Sequence, residues 1–410
     1  MRKITFIALG WLIAGIALHS FTSAPTFAAT ITATATRALT PTPTFAPTLT
    51  ITATRRVTIT ATITPTATPL AQPTARANLA LDSRALAIDT LRGRAYGGGQ
   101  IKITQLVADE IAFQRVLIEY PSDGLKITGM MNIPRGAPPF PVVILNHGYF
   151  KPGEYKTGDG TQRAADEFAR RGYLTIAPDY RCYAGSQCAS NPLYIGYAVD
   201  VLNVIAALWG LPYADATRVG IWGHSMGGQV SLRVLAVNDS IKVASLYGAL
   251  TGDDETHYCW LYGCRAPLVT PAPRSEPAFG QLIPEFLEGI PTPRASSDRN
   301  ALLSEIFKRS SPARFLRYIK TPIILHHGEK DDIVPLAWSV ELSDALTALN
   351  KPVALYTYSD GGHVFTGWDW QLFMTRTLTY FDEYLKPREI PITVERRVLR
   401  QERVALESSY

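Results

Sequence analysis

Ser225 has the strongest claim to chemistry in this sequence. It stands in the segment Gly223-His224-Ser225-Met226-Gly227-Gly228. A serine hydroxyl is a weak nucleophile until a base takes its proton. The residues before it, Val219-Gly220-Ile221-Trp222, read as a strand, and those from Met226 onward read as a helix. Gly-x-Ser-x-Gly between a strand and a helix predicts a tight, strained turn that presents the hydroxyl at the C-terminal edge of a sheet. The glycines leave room for neighbouring backbone, and the start of the helix favours developing negative charge.

Seven histidines are available as the base. His19 lies in an apolar N-terminal segment, His147 in an Asn-His-Gly loop, and His224 inside the serine turn. His257 sits in a long cysteine-containing interval, and His326 and His327 end a strand. His363, in Asp360-Gly361-Gly362-His363, follows both the serine and a suitable acid, in the chain order Ser…Asp…His. The acid is expected at the tip of the preceding strand, in His327-Gly328-Glu329-Lys330-Asp331-Asp332-Ile333-Val334-Pro335. Asp331 is preferred and Asp332 is the second choice. Either could instead cap the helix expected from about Pro335. A tetrahedral oxyanion needs hydrogen-bond donors, which at a strand–turn–helix serine of this kind are backbone N–H groups. The expected ones are the N–H of Met226 and that of Tyr149, in the loop Asn146-His147-Gly148-Tyr149. The expected site is therefore Ser225, Asp331 and His363, with Tyr149 and Met226 as the oxyanion hole and with no metal and no cofactor.

These residues need a scaffold of strands and helices. Strands are expected at 115–120, 125–133, 141–147, 173–179, 218–223, 242–247, 321–326 and 352–358. Helices are expected at 160–171, 192–209, 226–237, 336–349 and 368–385. The first two strands form a hairpin around Ser122-Asp123-Gly124, and the later ones alternate with helices. That alternation predicts an α/β domain with a mostly parallel sheet and helices on both faces. Residues 248–318 interrupt the rhythm and read as a lid-like insertion, because connections of that length usually carry function.

The N-terminus reads as a signal peptide, residues 1–28. Arg2 and Lys3 precede an uncharged apolar run with small residues after it. The run is shorter than the roughly 20 residues a spanning helix needs. Residues 29–77 are rich in Thr and Pro and have no acid until Asp82, so they read as an extended stalk. This segment would tether the domain to a membrane or cell wall. Residues 78–114 are a linker and N-terminal extension, 115–387 the catalytic domain, and 388–410 a polar tail. A secreted or cell-surface location follows, and with it disulfides. The four cysteines fall in two close pairs, Cys182/Cys188 and Cys259/Cys264, and two local bridges are the simplest pairing. The net charge of +5 includes Arg2 and Lys3, and no basic cluster is interleaved with aromatics, so no nucleic-acid partner is expected.

Five segments together resemble the catalytic domain of the prolyl oligopeptidase family, within the α/β-hydrolase superfamily. They are Asn146-His147-Gly148-Tyr149, Asp179-Tyr180-Arg181, Gly223-His224-Ser225-Met226-Gly227-Gly228, His327-Gly328-x-x-Asp331-x-x-Val334-Pro335 and Gly362-His363. The resemblance covers residues 115 to 387. It implies an α/β-hydrolase fold with an eight-stranded sheet, places the acid on Asp331, and implies peptide cleavage through an acyl-enzyme on Ser225. The segment Arg181-Cys182-Tyr183-Ala184-Gly185-Ser186 stands where that family carries an Arg-Gly-rich loop, and no propeller-length region precedes the domain. Dienelactone-hydrolase-like proteins and secreted esterases share the same constellation, so an ester substrate is the alternative to a peptide. A non-catalytic surface binding module is the remote third reading. Glu154 and Glu255 are candidate carboxylates for a substrate amino terminus.

Overall fold

The run Phe140-Pro141-Val142-Val143-Ile144-Leu145-Asn146 is apolar at almost every position and wholly buried. Such a run suits a central strand covered on both faces. Its alternate side chains divide cleanly. Val142 and Ile144 join one hydrophobic cluster, and Val143 and Leu145 join the other. The sheet is thus the middle layer of three.

The computed structural model describes residues 83–262, Ile290 and residues 296–386. Its strands are β1 (Lys102–Asp109), β2 (Phe113–Ser122), β3 (Leu125–Pro134), β4 (Phe140–Asn146), β5 (Leu174–Pro178), β6 (Ala214–His224), β7 (Val243–Tyr247), β8 (Ile323–Gly328) and β9 (Val353–Tyr358). Its helices are α1 (Ile88–Gly93), α2 (Gln162–Arg170), α3 (Ile195–Ala207), α4 (Met226–Val237), α5 (Asp254–Tyr262), α6 (Ser296–Ser310), α7 (Leu336–Ala348) and α8 (Gly367–Leu385). The strands form one sheet in the order β1-β2-β3-β5-β4-β6-β7-β8-β9. β1, β2 and β3 run antiparallel, and β3 is antiparallel to β5. From β5 to β9 every pairing is parallel. Side chains of α1, α3, α4 and α7 fill the first cluster, and those of α2 and α8 fill the second. Helices therefore cover both faces, as expected.

Among the described residues the sheet has nine strands, not the eight expected. The additional one, β1, lies in the segment read as linker and N-terminal extension. Among the described residues it pairs only with β2, at the sheet edge, with two register shifts, and it is exposed along nearly its whole length. A strand that buries neither face has no alternation for the sequence to display.

Of the interval 248–318, α5, α6 and a 3-10 segment, Pro312–Tyr318, are described. Its first helix is anchored under the sheet's helical layer. Arg233 of α4 reaches Asp254 of α5 at 2.7 Å, with both side chains fully buried. Ser310 Oγ donates to the other carboxylate oxygen at 2.6 Å. Removing one member of a buried ion pair strands the other charge. Arg233→Met is therefore expected to lower unfolding stability in urea by about 3–5 kcal/mol, and Arg233→Met/Asp254→Leu to recover most of it. A single variant as stable as wild type would show that the pair does not anchor the insertion.

The Cys182–Cys188 disulfide is present, as expected. Cys264, the expected partner of Cys259, lies outside the described residues, as do the signal segment, the stalk and the tail from 388.

Candidate active site

β6 ends at His224 and α4 begins at Met226, which leaves Ser225 alone at the junction. Its backbone has φ 56° and ψ −121°, a left-handed conformation that costs a non-glycine residue free energy. Close packing holds it there. A Cβ on Gly223 would sit 2.4 Å from Gly227 O and from Ser231 Oγ. One on Gly227 would sit 2.0 Å from Asn146 O. Only glycine lets α4 come this close to the end of β4. Asn146 Nδ2 donates to Ser231 Oγ at 2.8 Å, and Ser231 Oγ donates to Gly227 O at 2.7 Å, which ties the helix start to that loop.

The loops after β6, β8 and β9 meet at this edge. His363 Nε2 lies 3.0 Å from Ser225 Oγ, and His363 Nδ1 lies 2.8 Å from Asp331 Oδ2. The structure thus brings together all three expected residues. Asp332 is exposed, whereas the Asp331 side chain is almost wholly buried. The other Asp331 oxygen accepts from the backbone N–H of Ile333 at 2.9 Å and of Val334 at 2.8 Å. Those bonds fix the carboxylate plane. Burial pushes the Asp331 pKa up, but hydrogen bonds from His327 and His363 outweigh it, so the carboxyl is held well below its ordinary range. The site therefore has a fixed anion behind an imidazole whose far nitrogen faces a hydroxyl. That arrangement can deprotonate the serine and stabilise the imidazolium formed.

Three further side chains hold the set in place. His327 Nε2 approaches Asp331 Oδ2 at 3.3 Å, and its Nδ1 lies 2.7 Å from Ser339 Oγ. Burial and the neighbouring His363 push the His224 pKa down to about 3, so its ring is neutral. Its Nε2 lies 3.0 Å from the His363 carbonyl oxygen. The His224 ring stacks on Tyr247 at 4.4 Å, and the Tyr247 hydroxyl accepts from the Phe365 N–H. His224 and Tyr247 thus hold the chain at His363 and two residues beyond it. In the sequence His224 and His327 stand as candidate bases and inside the quoted motifs, with no positioning role assigned to them. The signal for His327 is its place four residues before Asp331 in the His-Gly-x-x-Asp segment, while Tyr247 is marked only as the end of an expected strand.

Of the two expected oxyanion donors, Met226 follows Ser225 directly and Tyr149 lies in the loop after β4. Met226 opens α4, where a backbone N–H has no acceptor within the helix. The loop 147–150 runs close to Ser225, since a Cβ on Gly148 would lie 3.2 Å from Ser225 Cβ. His147 is buried, which pushes its pKa down to about 4, and its ring is stacked between Tyr155 and Tyr180. The candidate amine-binding carboxylates are not brought into this set. Glu154 is paired with Lys151 on the surface, and Glu255 lies 3.4 Å from Arg314. Among the described residues no cluster of three or more His, Cys, Asp or Glu could hold a metal ion.

Known proteins share this framework. An uncharacterised peptidase of Bacillus subtilis is 24% identical over 247 residues, which cover 60% of this chain and 84% of the relative. The acylamino-acid-releasing enzyme of Rattus norvegicus is 24% identical over 214 residues, but the match spans only 25% of that enzyme. Among solved structures, acetyl xylan esterase 1 of Thermoanaerobacterium sp. aligns with a TM-score of 0.53 at 17% identity, over 72% of this chain and 91% of that one. The acylaminoacyl peptidase of Pyrococcus horikoshii aligns with a TM-score of 0.51 at 21% identity, over 70% of this chain and 44% of that one. Identities this low establish the shared fold. The alpha/beta hydrolase family matches across residues 142–372, more than half of the sequence. With its sheet order, elbow serine and that match, the chain belongs to the alpha/beta hydrolase family.

Proposed function

We propose that this protein is a serine peptidase of the prolyl oligopeptidase type, acting through an acyl-enzyme on Ser225. The observation that carries the chemistry is the continuous link from Asp331 through His363 to Ser225, at 2.8 and 3.0 Å. Ser225 Oγ attacks the carbonyl carbon as its proton passes to His363 Nε2. The N–H groups of Met226 and Tyr149 receive the oxyanion, a contribution of about 10²–10³ per donor in turnover. His363 then gives its proton to the leaving nitrogen. Water, deprotonated by His363, attacks the acyl carbon, and His363 returns that proton to Ser225 Oγ as the acid leaves. Asp331 keeps its charge against the Nδ1–H throughout.

A peptide substrate is favoured by the extent of the match to the Bacillus subtilis peptidase, which runs through 84% of that protein. The equally extensive fold match to an acetyl xylan esterase supports the ester alternative. The test compares p-nitrophenyl acetate with aminoacyl and N-acylaminoacyl p-nitroanilides on the purified protein. A peptidase turns over at least one anilide series with saturation and dependence on Ser225. Fast ester turnover with none of the anilides cleaved would reject the peptidase reading and leave the esterase.

Export to the cell surface belongs to the same proposal. A basic start, an apolar run and the Thr/Pro tract support it. So does the Cys182–Cys188 bridge, because such bonds persist in oxidising compartments.

A further inference from the structure

The Cys182–Cys188 bridge takes no part in the chemistry above, and its loop is unusual in its backbone. Tyr180, Cys182 and Ala184 all have left-handed φ, at 62°, 70° and 46°. Non-glycine residues persist in that region where surrounding structure over-determines them. Here the bridge closes the turn across a separation of six residues. Within it, Cys182 N donates to Gln187 O at 3.1 Å and Ser186 N to Tyr183 O at 3.0 Å. Outside it, Ser186 and Gln187 fasten the turn to β3. Thr128 N donates to Ser186 Oγ at 2.9 Å, and Lys126 N donates to Gln187 Oε1 at 2.7 Å.

What this rigid turn presents inward is Tyr183, which is fully buried. Its hydroxyl donates to the carbonyl oxygen of Phe150 at 2.8 Å. Its ring meets His147 edge-on at 4.9 Å. His147 and Phe150 bracket Gly148 and Tyr149, the stretch that passes Ser225. His147 Nε2 also lies 3.1 Å from Asp179 O, at the root of the same turn. Both ends of the four-residue stretch are thus seated on residues 179–183.

We infer that Tyr183, locked by the Cys182–Cys188 ring, is a positioning residue that sets the Tyr149 N–H against the oxyanion. This rests on the proposal that Tyr149 donates to the transition state. An oxyanion donor binds the charge that develops in the transition state more strongly than the ground-state carbonyl, so loss of the brace falls on turnover more than on binding. Oxyanion donors act at short range, and a loop shift of a few tenths of an ångström weakens them.

The test measures steady-state kinetics of four purified variants, on whichever chromogenic substrate the wild type cleaves. Tyr183→Phe removes one oxygen and is expected to lower kcat about tenfold with KM changed less than about twofold, the size of one lost hydrogen bond felt at a catalytic donor. Cys182→Gly/Cys188→Ala opens the ring while leaving a residue that accepts φ 70° at position 182. It should lower kcat in the same way. Combined with Tyr183→Phe it should add little, because both act through one contact. Wild-type kcat in Tyr183→Phe overturns the inference, as do losses that multiply in the combined variant. Should the ring-opened variant fail to fold, Tyr183→Phe decides alone. Tyr149→Pro separates the two readings. If it loses activity while Tyr183→Phe does not, the brace fails and the oxyanion assignment stands. Full activity in Tyr149→Pro removes both.

Discussion

Ser225→Ala is expected to lose all labelling by a fluorophosphonate and to lower kcat by about 10⁴–10⁶, with the fold intact. The size follows from what the hydroxyl alone supplies. Among the described residues, Ser225 Oγ is the hydroxyl hydrogen-bonded to His363 Nε2. Without it there is no acyl-enzyme, and only donor groups and binding remain to assist water. The fold should survive because the elbow's conformation is imposed by its neighbours. Alanine meets the same left-handed φ of 56° that serine does, and it removes a single oxygen. Intact protein mass after probe treatment reads the labelling, and thermal unfolding reads the fold. A normally folded variant that is labelled and active like wild type would remove Ser225 from the mechanism.

The parts of the fold legible in the sequence are those where burial writes a pattern. β4, β5, β7 and β8 are buried at every position, and such apolar runs announce themselves. The elbow was legible because its chemistry is local: strand, glycine, serine, glycine and helix lie within one short segment. Asp331 and His363 were legible by chain order, although 32 residues separate them. What was hidden depends on contacts that no motif or chain order marks. Arg233 and Asp254 are ordinary charged residues until the fold brings them together. His224 reads as a variable turn position until its Nε2 is found on a carbonyl 139 residues on. β1 buries nothing and so wrote no pattern. The bridge at Cys182 was legible, but the reason for it was not, because Tyr183 acts on Phe150, 33 residues earlier.

Asp331→Asn is expected to lower kcat by about 10⁴ while leaving KM and the fold nearly unchanged, and Asp332→Asn to have little effect. The backbone decides which way the new amide would face. Ile333 N–H and Val334 N–H both point at Oδ1, so an asparagine must keep its carbonyl oxygen there. Its NH₂ then occupies the Oδ2 position, 2.8 Å from His363 Nδ1. A donor at that place requires Nδ1 to accept, which moves the imidazole proton to Nε2. The nitrogen facing Ser225 would carry a proton when it should be taking one. The amide also removes the negative charge that stabilises the imidazolium. The pH dependence gives a second check. Asp331 has a folded pKa depressed from 3.8, so the stability its ionisation contributes is fully present above 3.8. That contribution is lost only as pH falls through the lowered folded value. The acid limb of kcat/KM in wild type therefore reports a group other than Asp331. In Asp331→Asn the remaining activity should rise with pH into the alkaline range, where hydroxide can replace the lost base. A wild-type kcat in Asp331→Asn, or a collapse in Asp332→Asn with the fold preserved, would transfer the acid's role to the neighbouring aspartate.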